Sequence, residues 1–345
     1  MLVYVLRQIR LLSVTLILVS LLCFSLTYLF PNEPLSTLAG VEPSQLSNEL
    51  SIQLSEKYML DKSLFYQYIQ FVHLSLLGDW GNSLNSGQAL KAEILQVIPA
   101  SLELVSYALI LSFTLGISLG FLAALVRDTP WDRFAVSLSL AGYSIPIFWF
   151  CILAISVFSM QLNWLPLSGR IGLLNSVPSA TGFIFIDIFL AEIPNKFVVY
   201  QDAFLHLILP TFCLTVATFT VILRIVRRST LEVLKIDYIK AATCKGLTRK
   251  QVFWRHTARN ALIPALPNLA SQIGILLTNA LIVESIFSWP GIGNWLLQAI
   301  YQQDYSAIQI GLFVVSSLAA IVIILMETLS HLLDPKNRTT VSVKA

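Results

Sequence analysis

Five ionisable side chains stand at the margins of long apolar runs: Glu103, Glu284, Glu327, Arg224 and His206. A charge at membrane depth is costly, and where one persists it commonly serves a solute path or a proton relay. At the end of an apolar run the cost falls, because long side chains reach back to the headgroups. Glu103 and Glu284 are therefore the candidates to line a polar path, the alternative being hydrogen-bond partners for a helix end. Glu327 and Arg224 read as interface anchors. Other chemistry is sparse. His73, His206, His256 and His331 are too dispersed for a metal site, and neither H-E-x-x-H nor G-x-S-x-G occurs. Cys23, Cys151, Cys213 and Cys244 form no C-x-x-C pair, so no zinc site or disulfide framework is indicated. No glycine stands in a G-x4-G-K-[ST] frame, so the chain lacks a phosphate-binding loop of its own. No cofactor is implied. A membrane enzyme would need a catalytic constellation, and a secondary transporter would show internal repeats and mid-membrane charges; neither pattern is present.

The elements that must position these residues follow from composition. Of 345 residues, 56% are hydrophobic and 12% charged, with mean hydropathy +0.75. A water-facing surface uses about twice that share of charge, so the expected solvent is bilayer. The net charge of +3 suggests no nucleic-acid partner. A spanning helix needs about 20 apolar residues, and six charge-free runs meet this: Leu11–Phe30, Leu104–Val126, Phe134–Leu162, Ala203–Leu223, Ala261–Val283 and Tyr305–Met326. The expected fold is all-α, an integral membrane protein of six transmembrane helices. A shorter stretch, Ile171–Ile186, is interrupted by Pro178 and Gly182 and reads as an interfacial or re-entrant piece of a loop. The Gly116-x3-Gly120 pair would let two helices approach closely. Pro146, Pro264, Pro267 and Pro290 are expected to break or kink helices.

Residues 1–30 read as a retained signal anchor: the apolar part is longer than the roughly 7–15 residues of a cleaved leader, and no small-x-small site follows in Phe30-Pro31-Asn32-Glu33. Lys and Arg set the orientation. With the N-terminus inside, Arg7, Arg10, Arg127, Arg133, the ten basic residues from Arg224 to Arg259, and Lys336, Arg338 and Lys344 face the cytoplasm. Only Lys57, Lys62, Lys91, Arg170 and Lys196 face out. Both termini are thus expected in the cytoplasm. Residues 31–98 then form an acidic external loop subdomain with a helix-like stretch, Leu46–Leu77, and a turn-rich break, Gly78-Asp79-Trp80-Gly81-Asn82-Ser83. Residues 99–334 form the core, and 335–345 a cytoplasmic tail.

Between the fourth and fifth runs lies a basic segment, residues 227–262, whose local signals predict an elbow. Asp237 can cap a helix over Tyr238–Lys245, and Gly246 can take the left-handed position after it. Thr248 and Gln251 have capping-box spacing for a second helix. Ala241 and Ala242 keep one face small. The spacing alone also fits a basic loop with routine caps. A helix-turn-helix DNA reader would need a third helix and a core that this segment lacks.

These residues resemble a known family. Asp237-Tyr238-Ile239-Lys240-Ala241-Ala242-x3-Gly246-Leu247, with Arg255-His256, Arg259-Asn260-Ala261 and Pro264, is similar to the EAA loop of binding-protein-dependent ABC permeases. Within them it resembles the B-type subunits of dipeptide and oligopeptide systems, in which Lys240 replaces the acidic residue of the general motif. Gly78–Ser83, Pro99-Ala100-Ser101-Leu102-Glu103-Leu104 and Glu284-Ser285-Ile286-Phe287-Ser288-Trp289-Pro290-Gly291-Ile292-Gly293 resemble further elements of that family. Asn163–Arg170 and Gln302-Gln303-Asp304-Tyr305 are most similar to the Sap subgroup, associated with antimicrobial peptides and putrescine export. The resemblance implies a type I importer permease in the bacterial inner membrane. Its expected partners are a second homologous permease subunit, two cytoplasmic ATPase subunits, a periplasmic substrate-binding protein and the lipid bilayer. It also implies that Asp237, Tyr238, Lys240, Ala241, Ala242, Gly246, Leu247, Arg255 and His256 form the ATPase-coupling segment. Peptides or polyamines are the implied cargo; another small solute such as nickel, or a non-ABC transporter, is the alternative.

Overall fold

Apolar chain without water around it must satisfy its backbone internally, and the long apolar runs do so as helices. The computed structural model describes residues 2–29, 35 and 48–333. The expected tail, the Phe30–Glu33 junction and Glu42 lie outside the described residues.

The first helix, α1, covers Leu2–Leu29. Two shorter helices follow, α2 (Asn48–Tyr58) and α3 (Leu64–Leu77), where the sequence predicted one continuous stretch. The break falls at Met59, which has a positive φ of 56°. Gly78 then ends α3 in the left-handed conformation, with its N–H and that of Asp79 returning to Ser75 and Leu74. Next come α4 (Leu90–Leu125), α5 (Pro130–Ser144) and α6 (Ile147–Ala154, running on as a π-helical turn to Gln161). A short α7 (Ile184–Leu190) precedes the 39-residue α8 (Lys196–Leu234). The elbow helix α9 is Asp237–Cys244. One continuous rod then runs from α10 (Arg249–Val252) through a π-helical turn, Phe253–Thr257, into α11 (Ala258–Ile286). Finally α12 (Ile292–Tyr301) and α13 (Tyr305–Leu333) close the chain.

Among the described residues five helices are long and apolar enough to cross a membrane, or six if α5 and α6 count as one bent span. The third apolar run, Phe134–Leu162, is therefore not a straight helix: α5 and α6 meet at 102°. Proline cannot extend the helix, and Ile145 before Pro146 is pushed into an extended conformation at φ −84° and ψ 123°. Pro264 and Pro267, by contrast, lie inside α11 without ending it. Several helices also outrun the apolar stretches that announced them. At 36 residues, α4 is about 54 Å long, well beyond a hydrocarbon core of roughly 30 Å.

Helices α4 and α8 form the spine. A Cβ added at Gly116 would sit 2.6 Å from the Ile222 side chain, and one at Gly120 would sit 2.8 Å from the Leu223 carbonyl oxygen. The expected close approach is therefore present. Helix α1 lies against α13, joined in the interior by a 2.9 Å hydrogen bond from Gln309 Nε2 to Thr27 Oγ1. Phe24 of α1, Tyr58 and Phe71 of the two short helices, and Ile308 and Val314 of α13 share one apolar cluster. The 48–98 region is thus part of the body of the protein. Stretch 171–186 holds no spanning helix; its Ile184, with Ile188 just beyond it, packs against Val199 and Ala203 at the start of α8.

Candidate functional site

At one end of the bundle the chain makes the elbow. Helix α9 is capped by Ile236, not Asp237; Asp237 is the first helical residue and pairs instead with Lys240 at 2.8 Å. An acid in the first turn complements the helix dipole without occupying the cap. Helix α9 ends one residue earlier than expected, at Cys244, with Lys245 as its cap. Gly246 follows at φ +81°, the left-handed corner the sequence required. The Thr248–Gln251 capping box is formed on both sides, and what it opens is the rod that continues as α11.

The elbow has two faces. Ile239 and Ala242 are buried with Phe121 of α4, Ile222, Val226 and Val233 of α8, and Val252, Ala258, Ala261, Ala265 and Leu269 of the rod. Leu247 packs against the same cluster. Asp237, Tyr238, Lys240, Ala241, Cys244 and Lys245 are exposed, so of the two alanines only Ala242 permits a close internal approach. Tyr238 reaches back to the rod: Asn260 Nδ2 donates to its hydroxyl at 2.9 Å, and the hydroxyl contacts the His256 carbonyl at 3.4 Å. Tyr238 and His256 meet edge to face. Arg255 is exposed on the rod. A short helix buried on one side in an apolar cluster shared with three long ones, with its outer face free, can pass a displacement into that cluster.

The opposite end carries the path candidates. Glu103 is 2% exposed and receives Arg170, whose Nε donates to its Oε2 at 3.0 Å and whose Nη2 also contacts it. The same Nη2 donates to the Gly182 carbonyl at 2.8 Å, and the guanidinium lies 5.8 Å from the centre of the Trp289 ring. Trp289 in turn donates to the Ala100 carbonyl at 2.8 Å. Glu284 is 0% exposed; its Oε2 accepts the Gly293 amide at 2.7 Å. Ser101 accepts the Ile292 amide at 2.8 Å and bonds to the Glu284 carboxylate. A side chain at Gly291 would have to displace Glu284 and Ser101, since a Cβ there would sit 2.4 Å from the Glu284 carboxyl carbon. A mainly apolar cleft of about 320 Å³ lies between α4, α11 and α13; Ser101 and Glu284 are among the residues that line it, although Glu284 is fully buried. Both glutamates are thus engaged in fastening the 284–293 turn and the 163–182 loop to the start of α4.

The sequence did not reveal these partners. In the sequence Arg170 enters only as an outward-facing charge and as the end of the Asn163–Arg170 stretch, although it is the one arginine assigned to its side. Asp132 and Arg227 meet in a two-pronged ion pair, but in the sequence Asp132 carries no signal of its own and Arg227 is only the first residue of the basic segment. The Thr129-Pro130-x-Asp132 spacing signals a helix start, and Thr129 does accept the Asp132 amide, yet nothing local points to Arg227. His206 bonds within its own helix to Asp202. Arg224 stacks on Tyr143 at 4.7 Å.

Long apolar helices, a polar elbow at one end and fastening clusters at the other are the features of a multi-helix membrane protein. Residues 116–339 match the family model described as "Binding-protein-dependent transport system inner membrane component". The chain belongs to that family. It is 38% identical, over 98% of its length and 99% of the relative, to the di/tripeptide transport system permease protein DppB of Pseudomonas aeruginosa. Identity is 37% to the peptide transport system permease protein SapB of Salmonella typhimurium, over 97% of both chains. It is 36% to the putrescine export system permease protein SapB of Escherichia coli K12, again over 97% of both. Dipeptide and Sap-type relatives therefore stand at nearly the same distance.

Proposed function

We propose that this chain is the membrane-spanning permease subunit of an ATP-binding-cassette transporter, and that the elbow at 237–246 is where separate ATPase subunits drive it. The observation that carries the reading is the two-faced elbow: Ile239 and Ala242 are buried in an apolar cluster shared with three long helices while Asp237, Tyr238, Lys240 and Ala241 remain exposed. ATPase closure would push the outer face and rock the bundle between two states, a change biased by ligand binding. The absence of a phosphate-binding loop from the sequence assigns hydrolysis to the partners.

In this reading α5 and α6 form one broken span, giving six crossings with both termini in the cytoplasm. A second homologous permease subunit completes the pathway, and a periplasmic binding protein delivers the solute to the end where residues 48–98 lie. The names of the relatives make di- and tripeptides, longer peptides or putrescine the solutes to assay first. Glu103 and Glu284 take a positioning role, because their contacts hold the turns at the mouth of the pathway. The deciding experiment is crosslinking of a Lys240→Cys variant, in a Cys244→Ser background, to the ATPase subunits of the assembled complex. Specific, nucleotide-sensitive crosslinks are expected. Their absence from an assembled, transporting complex would reduce the segment to a basic loop.

A further inference from the structure

The first half of the broken span is fastened to α8 near both of its ends. Asp132, in the first turn of α5 and 3% exposed, accepts Arg227 Nε at 2.6 Å and Nη2 at 2.8 Å. The Asp128 amide also donates to that carboxylate, at 3.0 Å, fixing its orientation from the backbone. At the far end of α5 the Arg224 guanidinium covers the Tyr143 ring. Beside it the two helices are so close that a Cβ at Gly142 would lie 3.3 Å from Thr220 Cβ. Two residues later the chain turns by 102° into α6, whose Cys151 and Ala154 pack in another cluster, with Leu104, Val283 and Trp289 and with Cys213 and Leu214 of α8 itself. On the other side of Arg227, α8 leads straight to the elbow: Val233 packs with Ile239 and Ala242, and Ser229 Oγ donates to the Ala261 carbonyl at 2.6 Å.

We infer that Asp132 and Arg227 clasp α5 to the elbow end of α8, so that α5 travels with α8 and the elbow as one body. The inference rests on the coupling role proposed above. It makes Asp132 and Arg227 positioning residues for transport, remote from any solute. A buried ion pair suits the task because losing one partner leaves the other charge uncompensated. Coupling between distant sites needs an element that both can bias; α8 with α5 clasped to it is such an element.

The test uses the complete transporter, with its ATPase subunits, in sealed vesicles. Crosslinking at Lys240→Cys reports first whether the elbow engages the ATPase, independently of the clasp. Asp132→Asn should keep that crosslink and ATP hydrolysis while transport falls at least about tenfold, the uncompensated Arg227 freeing α5 from α8. Cysteines at Gly142 and Thr220, in a Cys244→Ser background and oxidised with copper phenanthroline, then replace the clasp covalently. Their separation is close to the roughly 3.5–4.5 Å of a disulfide. The disulfide should leave parental transport intact and restore it to Asp132→Asn, with reductant removing the rescue. Two outcomes overturn the inference: parental transport by Asp132→Asn, or a disulfide that stops transport until reduced, which would mean that α5 slides on α8. If Asp132→Asn fails to accumulate, the disulfide in the parental background decides alone.

Discussion

Ser83 and Asp304, 221 residues apart in the chain, are joined by a buried 2.6 Å hydrogen bond. The same carboxylate caps α13 by accepting the Ala307 amide at 2.9 Å and holds the Asn85 amide at 3.3 Å. One side chain thus starts the last spanning helix and pins the 83–88 loop to it.

Replacing Asp304 with alanine removes a cap and leaves Ser83 unpaired, together about 2–4 kcal/mol. The expected result is a lower melting temperature in detergent and faster proteolysis at residues 83–88, with Asp304→Asn milder. Parental melting of the alanine variant would show that the contact is dispensable.

The six-span reading predicts opposite labelling of the two ends. Native Cys244 is exposed and the cysteines at 23, 151 and 213 are buried, so an impermeant maleimide should modify Cys244 only after the cells are permeabilised. Cysteines at Asp61 and Ala180, in a Cys244→Ser background, should react in intact spheroplasts. Labelling of Cys244 from outside would reject the topology.

Gly246 sits at φ +81° with open space where a Cβ would go. Its substitution therefore costs backbone strain, about 1–2 kcal/mol for an ordinary L-residue, and no clash. Gly246→Val should insert and accumulate normally but lose most transport and the Lys240→Cys crosslink. Gly246→Asn should retain both, since Asn tolerates the left-handed region. Gly87, at φ +68° and equally open, lies at the other end of the bundle. Gly87→Val is the matched control and should leave the crosslink unchanged.

Breaking a buried ion pair by removing one partner costs about 3–5 kcal/mol, whereas replacing both with apolar groups is often near neutral. Glu103→Leu and Arg170→Met should therefore each lower thermal stability substantially, and the double variant should recover much of the loss. Additive losses would mean that the Glu103–Arg170 contact contributes little.

Asp187, 3% exposed at the short helix α7, gives a pH signature. Burial alone would raise its carboxyl, but hydrogen bonds from the Thr181 hydroxyl and from the Thr181, Gly182 and Ala180 amides outweigh it and hold the group below its ordinary value of 3.8. The folded state thus binds this proton less readily than the unfolded one. Its stabilisation is fully present above the unfolded value and is lost as pH falls through the folded one. Proteolysis of the 171–195 region should rise steeply in acid below that value, and Asp187→Asn should flatten the profile.

The sequence alone determined what nearest neighbours decide. Apolar runs of spanning length became helices, because buried backbone has few other ways to pair its N–H and C=O groups. The Gly246 corner and the Thr248–Gln251 box formed because their hydrogen bonds reach only a few residues. Tertiary structure decided the rest. Pro146 ends its helix while Pro264 and Pro267 do not. A proline's preference is local, but α11 is held from both sides by the clusters of Ala261, Ala265 and Leu269 and of Leu276, Ala280 and Val283. Glu103 finds Arg170 across 67 residues and Asp132 finds Arg227 across 95. No periodicity encodes such partners, because a charge at the end of an apolar run can be answered by lipid headgroup, water or another helix, and only packing selects among them.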